Sequence, residues 1–174
     1  LIAPDSFKEC LPAKEVAAAI ARGWNRGAPT DEVVQVPLAD GGEGTTVALV
    51  ESQNGTLHSA DVTGPLGDPV TAQYGLVSDG RTAVVEVAEG SGLHHVPASR
   101  RDAMKATSRG TGELIKAAME HRPTTLVMCL GGSATTDGGA GILQALGARL
   151  LDSGGQEIPA GGAGLALLSS LDVS

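Results

Sequence analysis

The sequence predicts an α/β fold: a mostly parallel sheet of the Rossmann or flavodoxin kind with flanking helices, and a second α/β lobe that carries a β-rich segment. Three observations predict it. Apolar runs of strand length alternate with helical patterns near both ends of the chain, as in parallel sheets built from crossover units. Glycines cluster where the apolar runs end, as in folds whose backbone approaches a ligand closely. Between the two alternating stretches, residues 57–98 turn β-rich.

The elements follow in order. "LIAP" ends a strand, and residues 5–12 form a polar loop. Val16, Ile20 and Trp24 recur at four-residue spacing and predict a helix over 13–26, closed by Gly27 and Pro29. "DEVVQVPLAD" reads as a strand and "GGEGTTVALVES" as a turn into a helix. Three β-like runs occupy 57–62, 70–77 and 82–88, with "SDGR" as a hairpin signal between the last two. A glycine-opened helix is expected over 111–121. "TTLVMCL", apolar throughout, reads as a buried parallel strand, and a helix over 139–150 follows. The division drawn from this pattern places 1–56 in the first part of an α/β domain and 57–174 in the β-rich segment and the units after it.

Composition narrows the function. Only 2% of residues are aromatic and the formal charge is −8, which opposes base-stacking platforms and general polyanion binding; no nucleic-acid partner is expected. No apolar run is long enough for a membrane span. Cys10 and Cys129 form neither a CxxC pair nor a zinc cluster, and a reducing, cytoplasmic setting fits them. The chain begins without Met, and both ends read as cut.

Two loops rhyme. "ADGGEGT" (39–45) and "TDGGAGI" (136–142) both contain D-G-G-x-G between an apolar run and a helix. Glycine amides at a helix start suit an anion, and a nearby carboxylate suits Mg²⁺, which takes one or two carboxylates plus phosphate oxygens. The competing reading is a pair of tight turns with Asp as helix cap. GxxxxGK[ST] and a clean GxGxxG unit are absent, and the GxSxG spacing of a nucleophilic serine is lacking. "PDSFKE" offers Asp5, Ser6 and the mobile charge of Lys8. Arg109 could fork onto an anion or lie on the surface. Glu86, inside an apolar run, needs a partner or a solvent face. His94 and His95, adjacent on an extended chain, would point apart and make a poor metal pair. His58 and His121 read as surface residues and Cys129 as core.

"IAPDSFKECLPAKEVAAAIARG", "PLADGGEGT", "VTGPLGDPV", "TSRGTGELI" and "GGSATTDGGAGILQALGARLLD" together resemble the glycerate kinase family, its bacterial type 1 class, over essentially the whole chain. Thr136, Arg109 and the pair Glu9 and Cys10 depart from the usual motifs. The resemblance implies two α/β domains with a cleft between them, and phosphorylation of D-glycerate by ATP and Mg²⁺ to the 2-phosphoglycerate product. It also implies that a C-terminal half of about equal length is missing here; a homodimer stays open. On this reading Asp137, bare in its loop, is the base or a metal ligand, and Asp40 a second metal ligand. Lys8 neutralises charge at the reacting centre. Gly131, Gly132 and Ser133 cradle phosphate, and Gly41, Gly42, Glu43, Gly44 and Thr45, with Asp5 and Ser6, bind substrate or a second phosphate. The alternatives are a non-catalytic anion- or nucleotide-binding fragment and a kinase of another small hydroxy acid.

Overall fold

A central four-stranded sheet organises the chain in the computed structural model, which describes residues 1–7 and 10–174. Strands β1 (Thr56–Thr63), β2 (Pro69–Val77) and β3 (Thr82–Glu86) run as an antiparallel meander, and β4 (Thr125–Cys129) adds to β3 in parallel. The meander follows from its turns. At "SDGR", Ser78, Asp79 and Gly80 all adopt positive φ, a conformation that Asp and Gly tolerate. The first segment is also parallel: Ile2 bridges Gln35, and Leu38 donates its N–H to the Pro4 carbonyl. The fold is thus mixed α/β, and the expected mostly parallel sheet is only partly present, because short hairpin turns force antiparallel pairing.

The helices are α1 (Ala13–Gly27), α2 (Thr45–Ser52), α3 (Val87–Ser91), α4 (Arg109–Met119) and α5 (Ala140–Ala145); α2, α3 and α4 pack on the sheet and α5 packs on α4, and a two-stranded ribbon joins β5 (Arg149–Leu151) to β6 (Ser170–Asp172). Leu114, Ile115 and Ala118 of α4 pack on Val62, Ala72, Tyr74 and Val85 as the main core. On the α2 side, Val50 packs with Val77, Val84 and Cys129, so a border at 56/57 crosses a shared core.

Several expectations are corrected. The buried face of α1 is Val16, Ala17 and Ala21, while Ile20 and Trp24 are exposed. β4 is parallel but not buried: it is the sheet edge, and Val127 and Met128 stay open. The helix expected over 139–150 stops at Ala145, because Gly147 turns with φ +106° and residues 149–151 become a strand. The run expected over 82–88 gives way to α3 after Glu86. No helix among the described residues is long and apolar enough to cross a membrane.

Candidate active site

The loops that matter leave the carboxyl ends of parallel elements, where α/β sheets bind ligands. Residues 5–7 and 39–44 follow the paired segments 1–4 and 33–38, while residues 87–95 and 130–139 follow β3 and β4. They touch. A Cβ on Gly131 would stand 2.6 Å from the Gly42 Cα, and one on Gly41 would stand 3.3 Å from the Leu130 carbonyl oxygen. Only glycine permits that approach. The turn 93–95 is tied in as well, since the Leu93 N–H donates to the Gly132 carbonyl at 2.8 Å.

The rhyming loops differ sharply in their carboxylates. Asp137 is 1% exposed. Its Oδ2 accepts from the Ser108 N–H (2.8 Å), the Ser108 hydroxyl (2.9 Å) and the Gly141 N–H (3.2 Å), and its Oδ1 accepts from the Gly139 N–H (3.1 Å). Asp137 is therefore not the bare carboxylate expected from sequence: four donors surround it, and it pins α5 to the start of α4. Glycine spacing resembles an open loop, and only the approach of Ser108 from another element closes it.

Asp40 is the opposite case. It is exposed and makes one local bond, accepting the Gly42 N–H at 3.0 Å. Yet the amides of its own loop are engaged. The Gly41 N–H donates to the Thr45 hydroxyl (3.1 Å), the Thr45 N–H to the Gly42 carbonyl (3.2 Å), and the Gly44 N–H to Glu86 (3.1 Å). Of the residues expected to bind substrate or a second phosphate, Gly41, Gly42, Gly44 and Thr45 thus have amides with acceptors already, while the Glu43 N–H has none among the described residues. By contrast, the N–H groups of Gly131, Gly132 and Ser133 have no acceptor among the described residues, and Gly132 and Ser133 are exposed.

The remaining residues fall around this segment or away from it. The Glu43 carboxylate lies beside Gly132 and 3.3 Å from the His94 Nδ1. His94 and His95 do not point apart: they share a short 3-10 turn with ring centroids 3.9 Å apart. Asp5 and Ser6 are exposed on the neighbouring loop, where Asp5 caps the Ser6 N–H. Lys8 lies outside the described residues. Arg109 is answered within its own helix by Glu113 at 2.9 Å. His58 and His121 sit on Tyr74, whose hydroxyl is 3.0 Å from the His121 Nε2. Burial, with Glu120 nearby, pushes the Tyr74 hydroxyl above its ordinary range. Sequence reasoning left Glu86 undecided, and the structure buries it at the end of β3. His94 was set aside as half of a poor metal pair, and a turn could not be told from extended chain there.

The glycerate kinase family's sequence profile matches residues 1–174. The chain belongs to the glycerate kinase family. Glycerate kinase of Bacillus subtilis is 54% identical over 174 residues, and glycerate 2-kinase of Escherichia coli is 52% identical over the same length. Each comparison covers 100% of this chain and 46% of the relative. A crystal structure from Salmonella typhimurium LT2, of a protein assigned as glycerate kinase 2, superposes with a TM-score of 0.82 at 52% identity. It covers 99% of this chain and 46% of that one. The chain thus spans under half the length of the glycerate kinases it matches.

Proposed function

We propose that this chain supplies the phosphate- and metal-facing part of an ATP-dependent glycerate kinase that transfers the γ-phosphoryl group to D-glycerate, giving 2-phosphoglycerate. One observation carries the reading. At the carboxyl end of β4 the unclaimed amides of Gly131–Ser133 lie against a glycine-rich loop whose Asp40 is exposed. Phosphoryl transfer needs this kind of positioning and charge neutralisation more than covalent help.

The residues fit Mg²⁺ bound through phosphate but not a protein cage. No group of three or more His, Cys, Asp or Glu among the described residues could hold a metal, and Mg²⁺ commonly rests on one or two carboxylates with phosphate oxygens. Asp40 is that carboxylate. A Mg²⁺ ion there would offset the charge that develops on the transferring group. Where Asp40 is not engaged by the metal it can take the hydroxyl proton, and its exposure favours it over the buried Asp137 for contact with substrate. The amides of Gly131, Gly132 and Ser133 bind phosphoryl oxygens. Asp5 and Ser6 orient substrate from the adjoining loop, with Glu43 at the margin of the cradle and Lys8 as neutralising charge. The free thiols of Cys10 and Cys129 suit a reducing cytoplasm.

The test is coupled ADP release from the full-length protein with D-glycerate, ATP and Mg²⁺, each omitted in turn. Turnover that requires all three supports the reading, and turnover with another hydroxy acid alone redirects it to that substrate. No turnover from the full-length protein removes it. The 46% span favours a second reading for the isolated 174 residues: a nucleotide- or anion-binding piece that becomes active only with the rest of the cleft.

A further inference from the structure

Glu86 closes β3 and is 1% exposed. Its Oε1 accepts the Gly44 N–H at 3.1 Å and its Oε2 accepts the Thr46 N–H at 3.2 Å. The strand thus grips the first turn of α2 at two points. That helix has no side-chain cap of its own at Gly44. Glu86 has no basic partner within ion-pair distance among the described residues. Facing it are the Cys129 thiol on β4, Glu89 on α3 and the buried Thr46 hydroxyl, which favours the charged carboxylate although no hydrogen bond of good geometry joins the two.

Stability argues against placing an ion here. Burial raises the Glu86 carboxyl above its ordinary value of 4.5; the Thr46 and Gly44 amides oppose the shift and Glu89 adds to it. A carboxyl that holds its proton more tightly in the folded state contributes most stability below its unfolded pKa. That contribution is lost as pH rises through the folded value. Ionisation of Glu86 therefore weakens the fold relative to its protonated form, in the pH range where the folded carboxyl gives up its proton.

We propose that Glu86 is a positioning residue for phosphoryl transfer: through Gly44 and Thr46 it fixes the loop that carries Asp40 against the segment Gly131–Ser133 and its free amides. This rests on the kinase reading above. Two oxygens on a three-bond arm reach both amides, whereas a glutamine would turn an NH₂ toward one of them.

The experiment uses the full-length protein and its Glu86→Gln variant, with Glu86→Asp as a second variant that keeps the charge and shortens the arm. Turnover, amide hydrogen exchange at Gly44 and Thr46, and Tm from about pH 5 to about pH 8 are read together. For Glu86→Gln, kcat should fall about tenfold to a hundredfold, as when an outer-shell partner is removed. Exchange at both amides should quicken and the pH slope of Tm should flatten, while the variant stays folded at the assay temperature. Glu86→Asp should lose turnover in the same range while keeping the slope. Unchanged kcat with faster exchange overturns the proposal, and so does turnover lost only because both variants are unfolded at the assay temperature, which marks a structural residue. A wild-type protein inactive on glycerate removes the kinase reading instead; exchange at the two amides then still decides whether Glu86 holds the loop.

Discussion

Asp40 and Asp137 occupy the same place in a repeated motif, and their surroundings separate them. Asp137 satisfies donors from two helices while almost fully buried. Replacing it with asparagine turns an NH₂ toward backbone N–H groups, and leaving a buried donor unmet costs about 1–3 kcal/mol. Asp137→Asn should therefore lower Tm measurably in a thermal melt, with loss of activity following loss of structure. Asp40→Asn should leave Tm unchanged, because the side chain is exposed and makes one local bond. It should lower kcat by orders of magnitude in the ADP-release assay, as removal of a charge at the transferring group does. If Asp137→Asn keeps its Tm and loses kcat while Asp40→Asn is fully active, the two roles are exchanged. Ser108→Ala should destabilise in the manner of Asp137→Asn, since the Ser108 hydroxyl donates to Asp137 and accepts the Ile142 N–H at 3.1 Å.

Loops and helices meet here through glycine. Gly141 of α5 abuts the backbone at Arg109 and the Thr107 hydroxyl, and a Cβ on Gly112 of α4 would stand 2.7 Å from the Ala145 Cβ. The α4–α5 crossing thus depends on two missing side chains. Gly112→Val should cost about 1–3 kcal/mol of stability, the usual penalty of overpacking, read by denaturant unfolding. Gly131→Ala is predicted to act differently. Its Cβ would push against Gly42 and part the phosphate-facing segment from the Asp40 loop. Turnover should drop more than stability does, and a variant with wild-type kcat would show that the contact between the two loops is dispensable. Element boundaries were legible where chemistry was local: the positive-φ turn at Ser78–Gly80 and the proline and glycines around α1 were readable from sequence. The early end of α5 was not, because Leu146 and Leu150 kept a helical pattern although Gly147 breaks the backbone.

At the scale of the molecule, apolar side chains remain open where a core would be expected. Val34, Val36 and Leu38 line the extended first segment, Val127 and Met128 lie on the edge strand β4, and Leu130 is 73% exposed beside the site. Such patches mark surfaces meant for a partner. The relatives carry more chain than is present here, and we propose that this remaining chain covers β4. The comparison that checks it is Met128→Glu against Met119→Glu in the full-length protein. Both methionines are partly open in this chain, 37% and 45%. Only Met128→Glu should lower Tm strongly, and equal effects would place the remaining chain elsewhere.

The sequence by itself determined the family, the α/β class, the β-rich middle and the stretches that converge on the site, because glycine, proline and apolar spacing act within a few residues. The tertiary structure alone decided which carboxylate is free. Burial depends on what arrives from elsewhere in the chain: Ser108 closes over Asp137 from 29 residues away, and Glu86 reaches Gly44 across 42. A local motif cannot show whether its donors and acceptors are already satisfied, and for this reason two loops with the same spelling hold their carboxylates in opposite surroundings, one buried and one exposed.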